Sequence, residues 1–452
     1  MPNFKKLSRT YEKNALVALE QFVRIPSVYD ESTAKVGQPY GEGVKKALDY
    51  FAKLGQDYGF AVNLCDGYCT ELSVGSEGPL IGVYGHSDVV PATGVWDHPP
   101  FDATLQDGRL WGRGTCDDKG PLIAALYAVK LLKDNGLIKG FRVKIVSGGD
   151  EERGSSCLRY YFERHHGEEP LYGFTPDADF PLIYAEKGIR DYWAVRLCDL
   201  SPIIAMDGGV VMNAVCDSLL VTLKPDPKFA EYLKEKKVSA EVTIDESLML
   251  VKFLGKSAHG STPQLGINAA TEAFRILGTF YKLAPLTLLA AAMKDPNGQV
   301  FGGFNESEEL GPTTYNFGII KYDGKTLKVS LDFRYGEGAA PDQLIAAFEA
   351  ATKTSCAKLA EMAPLLFDKK SPLVATLMAA YRRSTFDFLA KPLAIGGGTY
   401  AKEAKNTVAF GASWKGHEGN MHSPNEYLYV DDFNKDIAIY ARAVYMLGRR
   451  GK

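Results

Sequence analysis

The 452-residue chain has no window approaching the ~20 consecutive apolar residues that a membrane-spanning helix requires. It also has no Lys- or Arg-rich run. Its 52 basic and 55 acidic residues leave a formal net charge of −3, so the electrostatic footprint of a nucleic-acid binder is missing. Cysteine is sparse: seven residues, at 65, 69, 116, 157, 198, 216 and 356, odd in number and without the spacing of a disulfide framework. Cys65 and Cys69 form the one close pair, and no second Cys/His pair follows them at structural-zinc spacing. The opening MPNFKKLSRTYEKNALVALEQF lacks the apolar stretch of a secretory leader. It reads as an amphipathic helix with Leu16, Leu19, Phe22 and Val23 on one side. There is no repeat of solenoid period and no low-complexity tract. A soluble, cytoplasmic protein with reduced thiols is expected.

What is present is the composition of an ordinary globular enzyme, 46% hydrophobic and 24% charged, in a chain long enough for roughly two to three domains. Up to about residue 186, helices and apolar strands alternate. A helix around 40–58 carries Val44, Leu48, Phe51 and Leu54; PLIGVYGHSD reads as a buried strand; PLIAALYAVKLLKDNG is a helix with Pro at its start and Gly at its stop. FRVKIVSGGDEE is a second buried strand, and a helix follows near 154–166. This alternation predicts an α/β domain with a mainly parallel central sheet and helices on both faces. From about 188 the texture changes to period-two strands (DYWAVRL, SLLVTL, SLMLVKFLG, TLKVSLDFRY) with helices between them. We expect residues 1–187 and 385–452 to form the α/β domain, and 188–384 a large inserted α+β lid of two lobes.

Acidic residues and histidines gather where the apolar strands end. His86 and Asp88 close one strand. In an extended chain residues two apart share a face, so Asp88 can reach the His86 imidazole and fix its tautomer. Asp117 and Asp118 lie in a Gly-rich loop before a helix; Asp150, Glu151 and Glu152 follow another strand; Asp177 and Asp179 follow a third; His422 comes much later. Each segment alone reads as a solvated turn. Together they occupy the loops beyond strand C-termini from which open α/β folds take their ligands. So many carboxylates repel one another without a compensating cation. Carboxylates with two histidines suit zinc, or else manganese or cobalt. Two metals explain the count, with one carboxylate bridging them and a water activated between. Spacing alone separates neither Asp117 from Asp118 nor Glu151 from Glu152. Cys116 beside Asp117 has no histidine at nucleophile–base spacing, and we read it as packing.

HSDVVP, GRGTCDDKGP, GGDEERGS, TPDADFP, KSAHGSTPQLGINA and MHSPNE occur in the order seen in the co-catalytic dizinc peptidase/deacylase family. That family includes carnosinase-type dipeptidases, acetylornithine deacetylase and succinyl-diaminopimelate desuccinylase, and the chain resembles in particular bacterial dipeptidases of the peptidase V type. The resemblance covers essentially the whole chain. It implies two Zn²⁺, one held by His86 and Asp177, the other by Glu152 and His422, with Asp117 bridging. It implies Glu151 as general base and Asp88 behind His86. In the insert, His259 is similar to a histidine that stabilises the oxyanion, Arg334 to an arginine that receives the substrate carboxylate, and Asn213 to a lid asparagine that reaches the substrate. Gly396, Gly397, Gly398 and Thr399 look like a backbone loop approaching the same carboxylate. Gly336 stands where relatives often have proline. The expected activity is hydrolysis of dipeptides completed by closure of the lid, in a monomer that supplies His259 in cis, with a dimer as the other arrangement. The alternative is an N-acyl-amino-acid deacylase on the same metal pair.

Overall fold

The structure is a computed structural model that describes residues 1–417 and 419–450. It separates into two units: Met1–Tyr184, Phe367–Leu393 and Thr399–Lys452 form the first, and Ala185–Leu366 with Ala394–Gly398 the second.

The first unit is built on a mixed sheet. Its centre is parallel as expected: Arg142–Gly148, Leu80–His86, Tyr172–Thr175 and Thr407–Ala409 lie side by side in that order. Antiparallel strands flank this centre. The hairpin Ala61–Cys65/Cys69–Val74, which the sequence reading passed over, adds to one side, and Ile183–Glu186 pairs with Thr407–Ala409 on the other. Every residue of Leu80–His86 is buried, because both faces of the sheet are covered. Tyr84 faces Val44 and Leu48 of helix Glu42–Asp57 and Leu158 of helix Ser156–Glu163. Its neighbour Gly85 faces the opposite side, toward Leu122 of helix Lys119–Asp134. That helix is buried along nearly its whole length, packed between the sheet and the C-terminal helix Val430–Arg450.

The second unit is one antiparallel sheet. Its order is Ala240–Ile244, Met249–Leu254, Ser218–Leu223, Ile203–Gly208, Ile320–Tyr322, Thr326–Tyr335, Gly188–Leu197 and Ser355–Met362, with Thr314–Asn316 also paired to Thr326–Tyr335. Alternate residues such as Met249, Val251 and Phe253 are buried, the period-two signature of a sheet covered on one face. They join Phe274, Leu289 and Phe348, from helices Ala269–Phe280, Ala284–Met293 and Pro341–Thr352, in a single core. The two halves of the insert thus contribute to one sheet and one core.

The expected return to the first unit at residue 385 falls too late. Phe367–Leu393 already belongs to the first unit. The helix Pro372–Thr385 buries Leu373, Val374, Leu377 and Tyr381 and packs along the C-terminal helix, where Arg450 Nη1 donates to Thr376 Oγ1. Its apolar stripe says that it packs, but not against what.

Candidate metal centre

Three parallel strands deliver their C-terminal loops to one place. His86 is the last residue of Leu80–His86, Glu151 and Glu152 follow Arg142–Gly148, and Asp177 follows Tyr172–Thr175. Asp117 precedes helix Lys119–Asp134, and His422 arrives from the segment before Tyr427–Tyr429. The His86 imidazole is fully buried; Nε2 stands 3.0 Å from Asp117 Oδ1 and 3.6 Å from Asp177 Oδ2. The His422 ring, about half exposed, places Nε2 2.9 Å from Asp117 Oδ2 and 3.0 Å from Glu152 Oε2. Two three-residue groups result, His86–Asp117–Asp177 and Asp117–Glu152–His422, the ligand atoms within each lying within 4.8 Å of one another. Asp117 is common to both and turns a different oxygen to each histidine.

Its neighbour Asp118 does something else. Its Oδ2 accepts the backbone N–H of His86 at 3.0 Å. Gly85 leaves room for that carboxylate: a Cβ there would stand 2.5 Å from Asp118 Oδ2. Asp88 also differs from expectation. The nearest acceptor to His86 Nδ1 is the Asp88 backbone carbonyl, at 3.0 Å, with the carboxylate at 3.5 Å. The carboxylate is used mainly on the neighbouring loop, accepting the N–H of Glu151 at 3.1 Å and of Glu152 at 3.2 Å. One residue therefore fixes the tautomer of His86 through its main chain and anchors both glutamates through its side chain.

Sequence reasoning missed Glu426, in the same MHSPNE segment as His422. It is fully buried; Oε1 accepts the N–H of Gly114 and Cys116 at 3.0 Å each and of Asp117 at 3.3 Å, and Oε2 accepts Arg113 Nη1 at 2.7 Å. It holds the loop that presents Asp117. Lys119 is another: its buried ammonium donates to the Phe22 and Ile25 carbonyls, tying the start of its helix to the end of helix Glu12–Val23. Buried charged groups within a few residues of Asp117 and His422 were the available signal. Cys116 Sγ lies against Glu426 Oε1 and the Gly419 carbonyl, and burial pushes its thiol well up, away from nucleophilic use.

The electrostatics are those of a site short of positive charge. Hydrogen bonds donated to Asp117 and Glu152 lift His422 to about 11. Burial opposes charging His86, yet Asp117, Asp88 and Asp177 overcome it and raise the imidazole well above its usual range. Burial, and then Asp117, push Asp177 up to about 7, while burial and Asp177 raise Glu151. Imidazole and carboxylate donors in two overlapping triads fit a pair of divalent ions of the zinc type.

The remaining candidates lie in the second unit. His259 has its Nδ1 2.6 Å from Ser261 Oγ and an exposed ring. Asn213 is exposed, and its carbonyl accepts the Gly260 N–H at 2.6 Å. Below it, Asn316 donates Nδ2 to the carbonyls of Met212 and Ala214. Arg334 is buried and donates Nη1 to the Gly396 carbonyl at 2.6 Å. The segment of His259 meets that of Gly396, since a Cβ at Gly396 would stand 2.8 Å from Ser261 Cβ. Gly397 is half-buried and Gly398 exposed, and Thr399, counted with the first unit, caps the turn Tyr400–Lys402.

A fold of this kind, with paired His/carboxylate triads at its strand ends, defines a hydrolase of the metallopeptidase class. Residues 82–446 match the model of Peptidase family M20/M25/M40, and the chain belongs to that family. It is 33% identical to Putative dipeptidase YtjP of Bacillus subtilis, over 95% of this chain and 96% of that one. Among solved structures, an M20 family metallo-carboxypeptidase from Sulfolobus solfataricus matches with a TM-score of 0.59 at 18% identity, covering 96% of this chain and 99% of the other. Human carnosine dipeptidase 1 matches with a TM-score of 0.58 at 14% identity, covering 99% of each chain. These two likenesses are of fold.

Proposed function

We propose that this peptidase is a dipeptidase that works with two divalent cations, zinc or the related manganese or cobalt. His86 and Asp177 would hold one, Glu152 and His422 the other, and Asp117 both. The observation that carries this reading is the orientation of Asp117, whose two oxygens face different imidazoles, each with a further carboxylate beside it. Once bound, the cations would bring the pKa of a shared water toward ~7 and polarise the scissile carbonyl.

The chain's own groups supply the rest. Glu151, its main chain fixed by Asp88, takes the proton of the attacking water and returns it to the leaving amine. His259 stabilises the oxygen on which charge develops. Arg334 receives the C-terminal carboxylate, and Asn213 with the 397–399 backbone completes the contacts. The working form in this reading is a cytoplasmic monomer supplying His259 from its own insert.

The test is to strip the purified protein with chelator, reload it with zinc, manganese or cobalt, and assay a dipeptide library beside N-acetyl and N-succinyl amino acids. Two metals per chain and cleavage of free dipeptides are expected. Activity restricted to the acylated amino acids would make it a deacylase instead, and a stoichiometry fixed at one would defeat the dinuclear reading.

A further inference from the structure

The proposed role of Arg334 gives a purpose to the residue two positions before it. Asp332 and Arg334 are 0% and 3% exposed, on a strand whose alternation turns both to the same face. Arg334 Nε lies 3.0 Å from Asp332 Oδ1 and 3.2 Å from Oδ2, and Nη2 lies 2.9 Å from Oδ2. With Nη1 bound to Gly396, three of the five guanidinium N–H groups are engaged, leaving one on each η nitrogen. These are the donors left for a carboxylate. Asp332 is itself confined: a Cβ at position 260 would stand 2.3 Å from its Oδ2, so the Gly260 backbone closes the space behind it. Opposite it in register is Asp191, whose carboxyl is pushed up to about 6 by burial and then by Asp332.

Burying an ion pair of this kind is a weak way to stabilise a fold, because desolvation offsets the attraction. It is an effective way to fix a planar group in one orientation. We infer that Asp332 is a positioning residue that, with the Gly396 carbonyl, aims the free edge of Arg334 and thereby selects substrates that end in a free carboxylate. This rests on Arg334 being the carboxylate receptor.

The experiment measures kcat and KM for one dipeptide and its C-terminal amide with the metal-loaded wild type, Arg334→Gln, Asp332→Asn and the double variant. Asp332→Asn should raise KM for the free dipeptide on the order of tenfold and leave the amide within about twofold, the pattern of a lost ground-state and transition-state contact. Added to Arg334→Gln, it should change the free-to-amide preference no further. If Asp332→Asn does not fold, as judged by circular dichroism and melting, Asp332→Glu carries the same readout: it keeps the charge but is too long for the space beside Gly260. A folded Asp332 variant with unchanged preference overturns the inference, as does collapse of both Asp332 variants while the double variant folds, which would make the pair structural. An unchanged preference in Arg334→Gln is a separate result, and removes the carboxylate role of Arg334 itself.

Discussion

In the first unit, two imidazoles stand among the carboxylates of Asp117, Asp118, Glu151, Glu152 and Asp177; in the second, Arg334 and Asp332 form a pair that is already neutral. The first arrangement is unfinished by design of its charges and calls for cations. The second is complete as a structural pair, and only the outer edge of the guanidinium remains for a ligand. On the proposed reading, a metal centre and a recognition group use buried charge in opposite ways. One stores an imbalance that an incoming ion relieves, and the other removes the imbalance so that geometry is what remains.

The sharpest way to break the comparison is Asp117→Ala. Both triads lose their common member, so metal analysis should find both ions depleted and dipeptide hydrolysis abolished; retention of two ions with activity would refute the shared carboxylate. Next comes the pair of glutamates. Glu151→Gln should keep both metals and lose about 10²–10⁴ in kcat, the usual worth of a positioned base, while Glu152→Ala should lose metal. Reversed phenotypes would exchange their roles. Smaller is Glu426→Gln, which keeps the shape but weakens the hold on the 113–117 loop. About 10–100-fold weaker metal affinity is expected, as for other partners behind a ligand, measured by competition with a chelator.

The mildest test uses pH. In the metal-free protein His422 is raised from 6.5 to about 11, so its share of stability is full below about 6.5 and is lost as pH rises toward 11. Asp177 is raised from 3.8 to about 7, so the folded state favours its protonated form and loses that advantage as pH rises through 7. Both groups make the metal-free protein less stable as pH rises. Cations bind the deprotonated ligands, so their stabilisation grows over the same range. The melting-temperature gap between metal-loaded and chelator-treated protein should widen from about pH 5 to about pH 8. A gap that narrows would mean that these residues do not hold the ions.

Much of this was legible before any coordinates, for local reasons. Buried strands announce themselves by composition, and a polar residue at or just beyond the end of one, such as His86 or Asp177, lies where ligands are expected. The division of labour between Asp117 and Asp118 was not legible, because adjacent residues share every local signal and differ only in partner: two imidazoles for one, the His86 main chain for the other. The spacing puts Asp88 behind the histidine two residues before it, whereas its carboxylate chiefly serves Glu151 and Glu152, more than 60 residues later. The return to the first unit, expected at 385 and found at Phe367, differs for the same reason on a larger scale, since the stripe of buried residues in helix Pro372–Thr385 does not name the surface it meets. What depends on sequence-distant partners appears only when the chain is folded.

Glu426 carries one such distance to a consequence in time. The Cys116 main chain and the carboxylate that receives it are 310 residues apart, with the whole second unit made between them. A chain leaving the ribosome has His86, Asp117, Glu151, Glu152 and Asp177 exposed long before His422 and Glu426 exist. Until the last stretch emerges, the loop bearing Asp117 has no anchor and the second triad has no histidine. On the proposed reading, the nascent chain therefore cannot complete the centre until His422 and Glu426 have been made.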